Sequence, residues 1–247
     1  MIILKTDREL AIMAKAGQIA RECLLRLGAM ISPGVKTFEL DRAAEEFIRS
    51  KGALPTFKGL YGFPATICTS KNEVVVHGVP GDTVLEEGDI ISLDVGATFQ
   101  GFVGDTAATF PVGKVSPDAL KLIDVTRESL NRGIAQAVAG SHIGDVGHAI
   151  EGYVKEHGFS VVKDYAGHGV GRSMHESPTV PNYGKPGMGP LLRKGLVIAI
   201  EPMVNAGGSE VITFPDMSVV TRDGSWSAHF EHTVAITEEG PVCLTMV

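Results

Sequence analysis

Apolar positions along this chain follow two rhythms, and each predicts its own kind of element. Leu10, Met13, Gly17, Ala20, Leu24 and Leu27 recur every three or four residues, which puts apolar or small side chains on one face of a helix. Thr6 and Glu9 stand ahead of them at the separation of a capping box, so that helix is predicted to open there. A second helix is predicted over 37–50, with Leu40, Ala43, Phe47 and Ile48 on one side and Gly52 just beyond its end. Ser116 followed by Pro117 suits the start of a third. Leu120, Ile123, Leu130 and Ile134 give it an apolar face, and Gly140 follows. A fourth is predicted over 145–157, stopping at Gly158.

The second rhythm is short and apolar. Runs at 74–76, 90–95, 107–112, 197–200, 211–214 and 233–237 read as strands between Gly- and Pro-rich turns. The stretch 184–189 is too short for a linker and reads as a surface loop. Two of the strand runs echo each other. Leu85, Gly88, Ile91, Leu93 and Asp94 have counterparts at the same offsets in Leu192, Gly195, Ile198, Ile200 and Glu201, and a His-Gly-Val triplet lies upstream of each, at His77 and His168. Two matches in one order suggest a duplicated half, with a carboxylate at the same structural point in each. Facing halves would bring Asp94 and Glu201 together at their interface, where sites tend to form.

Composition narrows this picture. A chain of 247 residues that is 44% hydrophobic can bury one substantial core, and it is read as one catalytic domain over 1–247. A net charge of −7 argues against a nucleic-acid surface, which would need a basic face. Cys23, Cys68 and Cys243 are odd in number and far apart, which argues against a disulfide framework or a thiolate zinc site. The opening residues meet charge at once, unlike a signal peptide, and no apolar stretch is long enough for a membrane helix. These features predict a cytoplasmic protein without a membrane partner.

The candidate chemistry lies in five residues. Asp94 and Glu201 each follow an apolar strand run, at what reads as its inner end; singly, a strand-end acid facing water is the simpler reading. Asp105 lies eleven residues after Asp94 across a segment that reads as a hairpin, which returns it beside Asp94. Close carboxylates repel unless one is protonated or a cation lies between them. Glu231 sits in a segment flanked by apolar residues, and His168 has glycines on both sides that permit close approach to a ligand. Four carboxylates and one imidazole carry a charge that two divalent cations balance, and oxygen-rich ligation with one nitrogen suits Mn²⁺, Fe²⁺, Co²⁺ or Zn²⁺. Such a pair shares a water and makes it a nucleophile.

The surrounding motifs carry a resemblance. Asn72-Glu-Val-Val-Val-His77-Gly-Val-Pro80, Asp94-Val-Gly, Gly104-Asp105-Thr106, Gly167-His168-Gly169-Val170-Gly171, Met174-His175-Glu176-Ser-Pro178, Ala199-Ile200-Glu201-Pro202 and Phe230-Glu231-His232-Thr233 occur in order. Together they resemble the type I methionine aminopeptidases over nearly the whole chain. The resemblance implies the α+β pita-bread fold: a curved antiparallel sheet, helices on its outer face and an internal pseudo-twofold. It implies removal of N-terminal methionine from new polypeptides when the second residue is small. Asp94 would chelate the first metal, Asp105 and Glu231 would bridge both, and His168 and Glu201 would complete the second site. His77 would contact the substrate and its leaving amide, and His175 the scissile carbonyl. Glu201 would also pass a proton to the leaving amine. A monovalent cation, Na⁺ or K⁺, would sit near the backbone of Asn72, Val74 and Ser227. The partners implied are peptide and nascent-chain N-termini, with the ribosome as a further one, for a monomeric enzyme.

The methionine pocket departs from many bacterial relatives. By resemblance it is lined by Phe57, Leu60, Phe63, Cys68, Met174 and Met217, where those relatives commonly have tyrosine at 60, phenylalanine at 174 and tryptophan at 217. Flexible side chains replace rings, so the pocket stays apolar and adaptable. Rival readings are a proline-specific or creatine-type hydrolase of the same fold, and a binding module that has lost its metal. The first normally adds an N-terminal domain, for which a helix opening at Thr6 leaves no room. The second loses ligands that this chain keeps.

Overall fold

The computed structural model describes residues 1–246. Its first helix, α1 (Asp7–Gly28), forms where the capping signals place it: the Thr6 hydroxyl accepts from the Glu9 amide, and the Glu9 carboxylate accepts from the Thr6 amide. Then come α2 (Thr37–Ser50), β1 (Leu54–Pro55), β2 (Ile67–Lys71), β3 (Val74–Val76), β4 (Ile90–Phe99) and β5 (Phe102–Pro111). The second half begins with α3 (Pro117–Gln136) and α4 (Ile143–Glu156). It continues through β6 (Ser160–Val161), β7 (Gly167–Gly169), β8 (Glu176–Val180), β9 (Val197–Ile200) and β10 (Met203–Asn205), then β11 (Val211–Thr213), β12 (Val219–Thr221), β13 (Ser227–His229), β14 (Glu231–Ile236) and β15 (Pro241–Cys243).

The main sheet runs β1-β4-β5-β14-β9-β7-β8, with β2 also on β4 and β15 on β14; every pairing in it is antiparallel. It curls into a half-barrel backed by the four helices, the pita-bread architecture. Its centre is symmetric about the β5–β14 seam. β4 flanks β5 on one side as β9 flanks β14 on the other, and the outer neighbours are β2 and β7. The repeated sequences at Asp94 and Glu201 therefore occupy matching strands. Smaller sheets, β13-β10-β6 and β11-β12-β3, complete the rim.

Alternation along β4 separates the two faces. Ile91, Leu93 and Val95 enter the core shared with Leu24 and Leu27 of α1, Leu40 of α2 and Ile198 of β9. Ser92 and Asp94 point the other way, because successive strand side chains alternate. α1 crosses β5 very closely: a Cβ at Gly104 would collide with the α1 backbone at Ala16 and Gly17, and on its other side a Cβ at Gly17 would strike the Leu244 backbone. The β4–β5 hairpin turns through Gln100 and Gly101, both at positive φ, as a tight hairpin requires.

Three expectations are corrected. Leu120 is 46% exposed; the buried face of α3 is instead Ala119, Leu122, Ile123, Thr126, Leu130 and Gly133. A leucine one turn into a helix is apolar without being inward. α4 begins two residues before Asp145, whose carboxylate reaches back to the His142 amide at 2.7 Å. Asp94 lies within β4 rather than at its end, since that strand runs on to the hairpin. Among the described residues no helix is long and apolar enough to cross a membrane.

Candidate active site

Sheet register brings the acids together. Asp94 on β4 stands opposite Ala107 on β5, and Ala107 stands opposite Glu231 on β14. One residue past the His232–Ile200 pair, the same row reaches Glu201. Asp105 is two residues before Ala107 and so shares its face. A small residue in the middle of the row leaves space between the carboxylates. Threonines lock the seam: the Thr233 hydroxyl donates to the Asp105 carbonyl at 2.8 Å and accepts from its amide at 3.0 Å, and Thr106 donates to the Glu231 carbonyl at 2.8 Å. The Asn182 amide donates to the Glu201 carbonyl at 3.0 Å, placing the acid that follows β9.

His168 completes the set from β7. Its Nδ1 faces the Gly169 carbonyl at 3.0 Å, which as a donor leaves Nε2 free as a lone-pair nitrogen. That Nε2 lies 3.4 Å from Glu201 Oε1 and 3.8 Å from Asp105 Oδ2. Ligand atoms of Asp105, His168 and Glu231 all fall within 4.8 Å of one another. Burial dominates the electrostatics. It raises Asp94 well above the usual carboxylate range, with Asp105 adding to it, and raises Glu231 likewise. Asp105 is pushed to about 8 by burial and then by Glu201, and Glu201 to about 8 by burial. His168 is held down to about 4 by burial and then by His175.

The donor set fits divalent metal. Asp94 Oδ1, Asp105 Oδ1 and Glu231 Oε1 are buried oxygens with no hydrogen-bond partner. Native interiors rarely leave such atoms unsatisfied. Four acids that cannot all ionise together, beside a neutral imidazole, form a site that a cation completes.

A cavity of about 260 Å³ joins this row to an apolar wall. Every expected pocket residue lines it: Phe57, Leu60, Phe63, Cys68, Met174 and Met217, with His77 and His175. Burial and the Asp94 charge raise the Cys68 thiol well above its ordinary range, so it serves as an apolar wall rather than a thiolate. His77 falls to about 4, through burial and then His229 and His175. His175 stacks on Tyr61 with ring centres 5.7 Å apart and meets His168 edge-on at 4.4 Å. Burial lowers it as well.

Backbone strain converges here. Among the described residues Tyr61, Asn72, His77, Gln100 and Met217 are the non-glycine residues in the left-handed region, and Tyr61, His77 and Met217 all line the cavity. Such conformations persist where surrounding structure over-determines them, commonly at functional sites. Of the expected cation-binding backbone, two residues bond directly and the third lies in the neighbouring strand. The Ser227 amide donates to the Asn72 carbonyl at 2.8 Å, and Val74 opens β3, which packs on β13.

Sequence reasoning missed four contributors. His229 is buried, with Nε2 unpartnered and 3.6 Å from Glu201 Oε2. Two residues before Glu231, it carried a strand-alternation signal. Tyr61 and Tyr165 line the cavity, the latter edge-on to His77 at 5.7 Å. Asn182 gave no signal, because its role depends on a loop folding back.

Comparisons with known proteins agree with this geometry. The model of metallopeptidase family M24 matches residues 11–238. The chain is 53% identical to methionine aminopeptidase 1 of Bacillus subtilis, with all of both chains covered. It is also 53% identical to a methionine aminopeptidase of Clostridium acetobutylicum, covering 100% of this chain and 99% of that one. The crystal structure of a methionine aminopeptidase from Thermotoga maritima superposes with a TM-score of 0.98 at 44% identity, again over both full chains. A family match over most of the length, together with relatives this similar from end to end, settles the affiliation: the chain belongs to metallopeptidase family M24, and within it to the type I methionine aminopeptidases.

Proposed function

We propose that this protein removes N-terminal methionine from peptides and new polypeptides in the cytoplasm when the second residue is small. The observation that carries the reading is the continuity of one cavity, with an acid row containing unpartnered buried oxygens at one side and an apolar wall at the other. Its volume of about 260 Å³ lies just below the usual range of ligand cavities, about 300–1,000 Å³, which suits one terminal residue and the adjoining peptide bond.

Asp94, Asp105, His168, Glu201 and Glu231 would hold two divalent ions, drawn from Mn²⁺, Co²⁺, Fe²⁺ or Zn²⁺. When bound, such a pair supplies Lewis acidity and an acidified water. The protein's own side chains do the rest. Phe57, Leu60, Phe63, Cys68, Met174 and Met217 enclose an unbranched thioether side chain. His77 holds the leaving amide. His175 donates to the scissile carbonyl oxygen as negative charge builds there. Glu201, with one oxygen toward His168 and the other toward His229, carries the proton to the departing amine. Tyr61, stacked on His175 and exposed, narrows the mouth where the second residue's side chain lies. A monovalent cation, Na⁺ or K⁺, at the carbonyls of Asn72, Val74 and Ser227 belongs to the same proposal; the backbone bond between Ser227 and Asn72 beside β3 supports it.

The test is hydrolysis of Met-Ala-Ser and Met-Leu-Ser peptides in metal-free buffer, with each metal restored in turn. Metal-dependent release of methionine from the first peptide and not the second is expected. Release from neither, with metal bound, would overturn the reading.

A further inference from the structure

The N-terminal segment delivers a charge into the interior. Residues 1–4 and 6–8 are exposed, whereas Lys5 between them is 7% exposed. Lysine is rarely buried unless paired. The partner is Glu176, 2.7 Å away, and both side chains are nearly out of solvent. Lys5 is itself held at two points. Its amide donates to the Gly195 carbonyl at 2.6 Å, just before β9, and the next residue, Thr6, caps α1. Its ammonium also donates to the Ile3 carbonyl at 3.1 Å.

Glu176 opens β8, at the end of the loop 170–175 that follows β7. Its other oxygen, Oε1, accepts from the Arg172 amide at 2.9 Å and the Ser173 amide at 3.3 Å. The carboxylate rests on Gly171, where any Cβ would strike it. The loop is therefore wound around this one carboxylate. Burial opposes the charge on Glu176, but Lys5 and the Ser173 and Arg172 amides prevail and hold it below its ordinary range. From the same loop Met174 and His175 enter the cavity.

We propose that the Lys5–Glu176 pair is the positioning device for His175: Glu176 gathers the loop, and Lys5, strapped between α1 and β9, fixes the carboxylate in place. Lys5 and Glu176 act through the loop and touch no substrate. The inference rests on the aminopeptidase reading, in which His175 serves the scissile carbonyl.

The test compares metal-loaded wild type with Lys5→Met, Lys5→Arg, Glu176→Gln, His175→Ala and the double variant Lys5→Met/His175→Ala. Kinetics on Met-Ala-Ser are read beside metal content and amide hydrogen exchange. Displacement of a catalytic group by a distant change can cost about 10²-fold, so Lys5→Met should lower kcat by about 10-fold to 10²-fold with metal content unchanged. Lys5→Arg should recover most of that loss. In the His175→Ala background, Lys5→Met should cost less than about twofold, because coupled residues are non-additive. A full, additive loss there would overturn the proposal, as would wild-type kcat in Lys5→Met. If Lys5→Met does not fold, Glu176→Gln, which keeps the side-chain shape, carries the same cycle with His175→Ala. A wild type that ignores methionyl peptides would count against the aminopeptidase reading alone. Exchange then decides the tether by itself: the Arg172 and Ser173 amides should exchange faster in Lys5→Met, and unchanged protection would overturn it.

Discussion

The two halves of the molecule supply matching acids and unmatched neighbours. Asp94 and Asp105 come from the β4–β5 hairpin, and Glu201 and Glu231 from the end of the corresponding β9 and from β14. The flanks differ. Beside β4, strand β2 sets Cys68 opposite Asp94, and Phe57, Leu60 and Phe63 lie nearby in one apolar cluster. Beside β9, strand β7 brings His168, and the loop after it brings Met174 and His175. The symmetric part gives two acids from each half to the proposed cation site. Under the proposed function the asymmetric part would orient the substrate, with its side chain toward the wall that Phe57, Leu60, Phe63 and Cys68 begin and Met174 and Met217 complete, and its reacting bond toward His175. A duplicated fold thus keeps its charge symmetric and lets shape and hydrogen bonding diverge.

The sharpest way to break this comparison is to remove what both halves share. Chelation should abolish activity, and Mn²⁺, Co²⁺ or Fe²⁺ should restore it; full activity in a preparation shown by elemental analysis to lack metal would refute the shared site. Next comes the second half alone. His175→Ala should lower kcat by about 10²–10³ with metal content near wild type. His168→Ala should lose metal and activity together, and added metal should restore only part. Calorimetric stoichiometry beside kcat distinguishes them, and equal metal loss in both would overturn the division of roles.

The apolar wall, to which the first half gives Leu60 and the second Met174 and Met217, should give a smaller effect. A methylene-sized change in an apolar pocket is worth about 1–3 kcal/mol. With Leu60, Met174 and Met217 in place of rings, norleucine and leucine substrates should be accepted better than by a relative with aromatic residues there. The ratio of kcat/KM for methionyl and leucyl peptides measures this, and Met217→Trp should raise it. A ratio already at or above the aromatic relative's would remove the apolar wall's claim to specificity.

The smallest effect concerns stability without metal. Asp105 and Glu201 hold protons up to about pH 8 when folded, against about 4 when unfolded. The folded state therefore binds more protons across that window, and metal-free stability falls as pH rises through it. His77 and His168, held down to about 4, oppose that trend only below their unfolded value of about 6.5. Between about pH 6.5 and 8 the acids act alone, so Tm in chelator should fall across that interval and flatten when metal is added. A Tm that rises there in chelator would contradict the buried acid row.

Much of this was legible in local sequence. The capping box at Thr6 and Glu9, the Ser116–Pro117 start and the strand Val197–Ile200 stand where their signals place them, because each signal acts within a few residues. The five proposed ligands were legible only as a set: singly, Asp94 and Glu201 read as strand-end acids facing water, and it was the four acids with one glycine-flanked histidine, inside an ordered run of motifs, that pointed to one site. Short strands such as β2, β7 and β13 were not, since their mixed polar and small residues lack the continuous apolar run that marked β3. His229 and Asn182 escaped because their partners lie 28 and 19 residues away.

Sequence by itself determined which residues could form helices and strands, that two segments repeat, and that four acids and a histidine need a common answer. Only tertiary structure decided that Asp94, Ala107 and Glu231 fall in one row with Glu201 at its end, that Cys68 faces an apolar wall, and that Lys5 reaches Glu176. Periodicity records what one stretch of chain prefers. Register across strands, and the pairing of charges 171 residues apart, exist only once the sheet has curled and the chain has closed on itself.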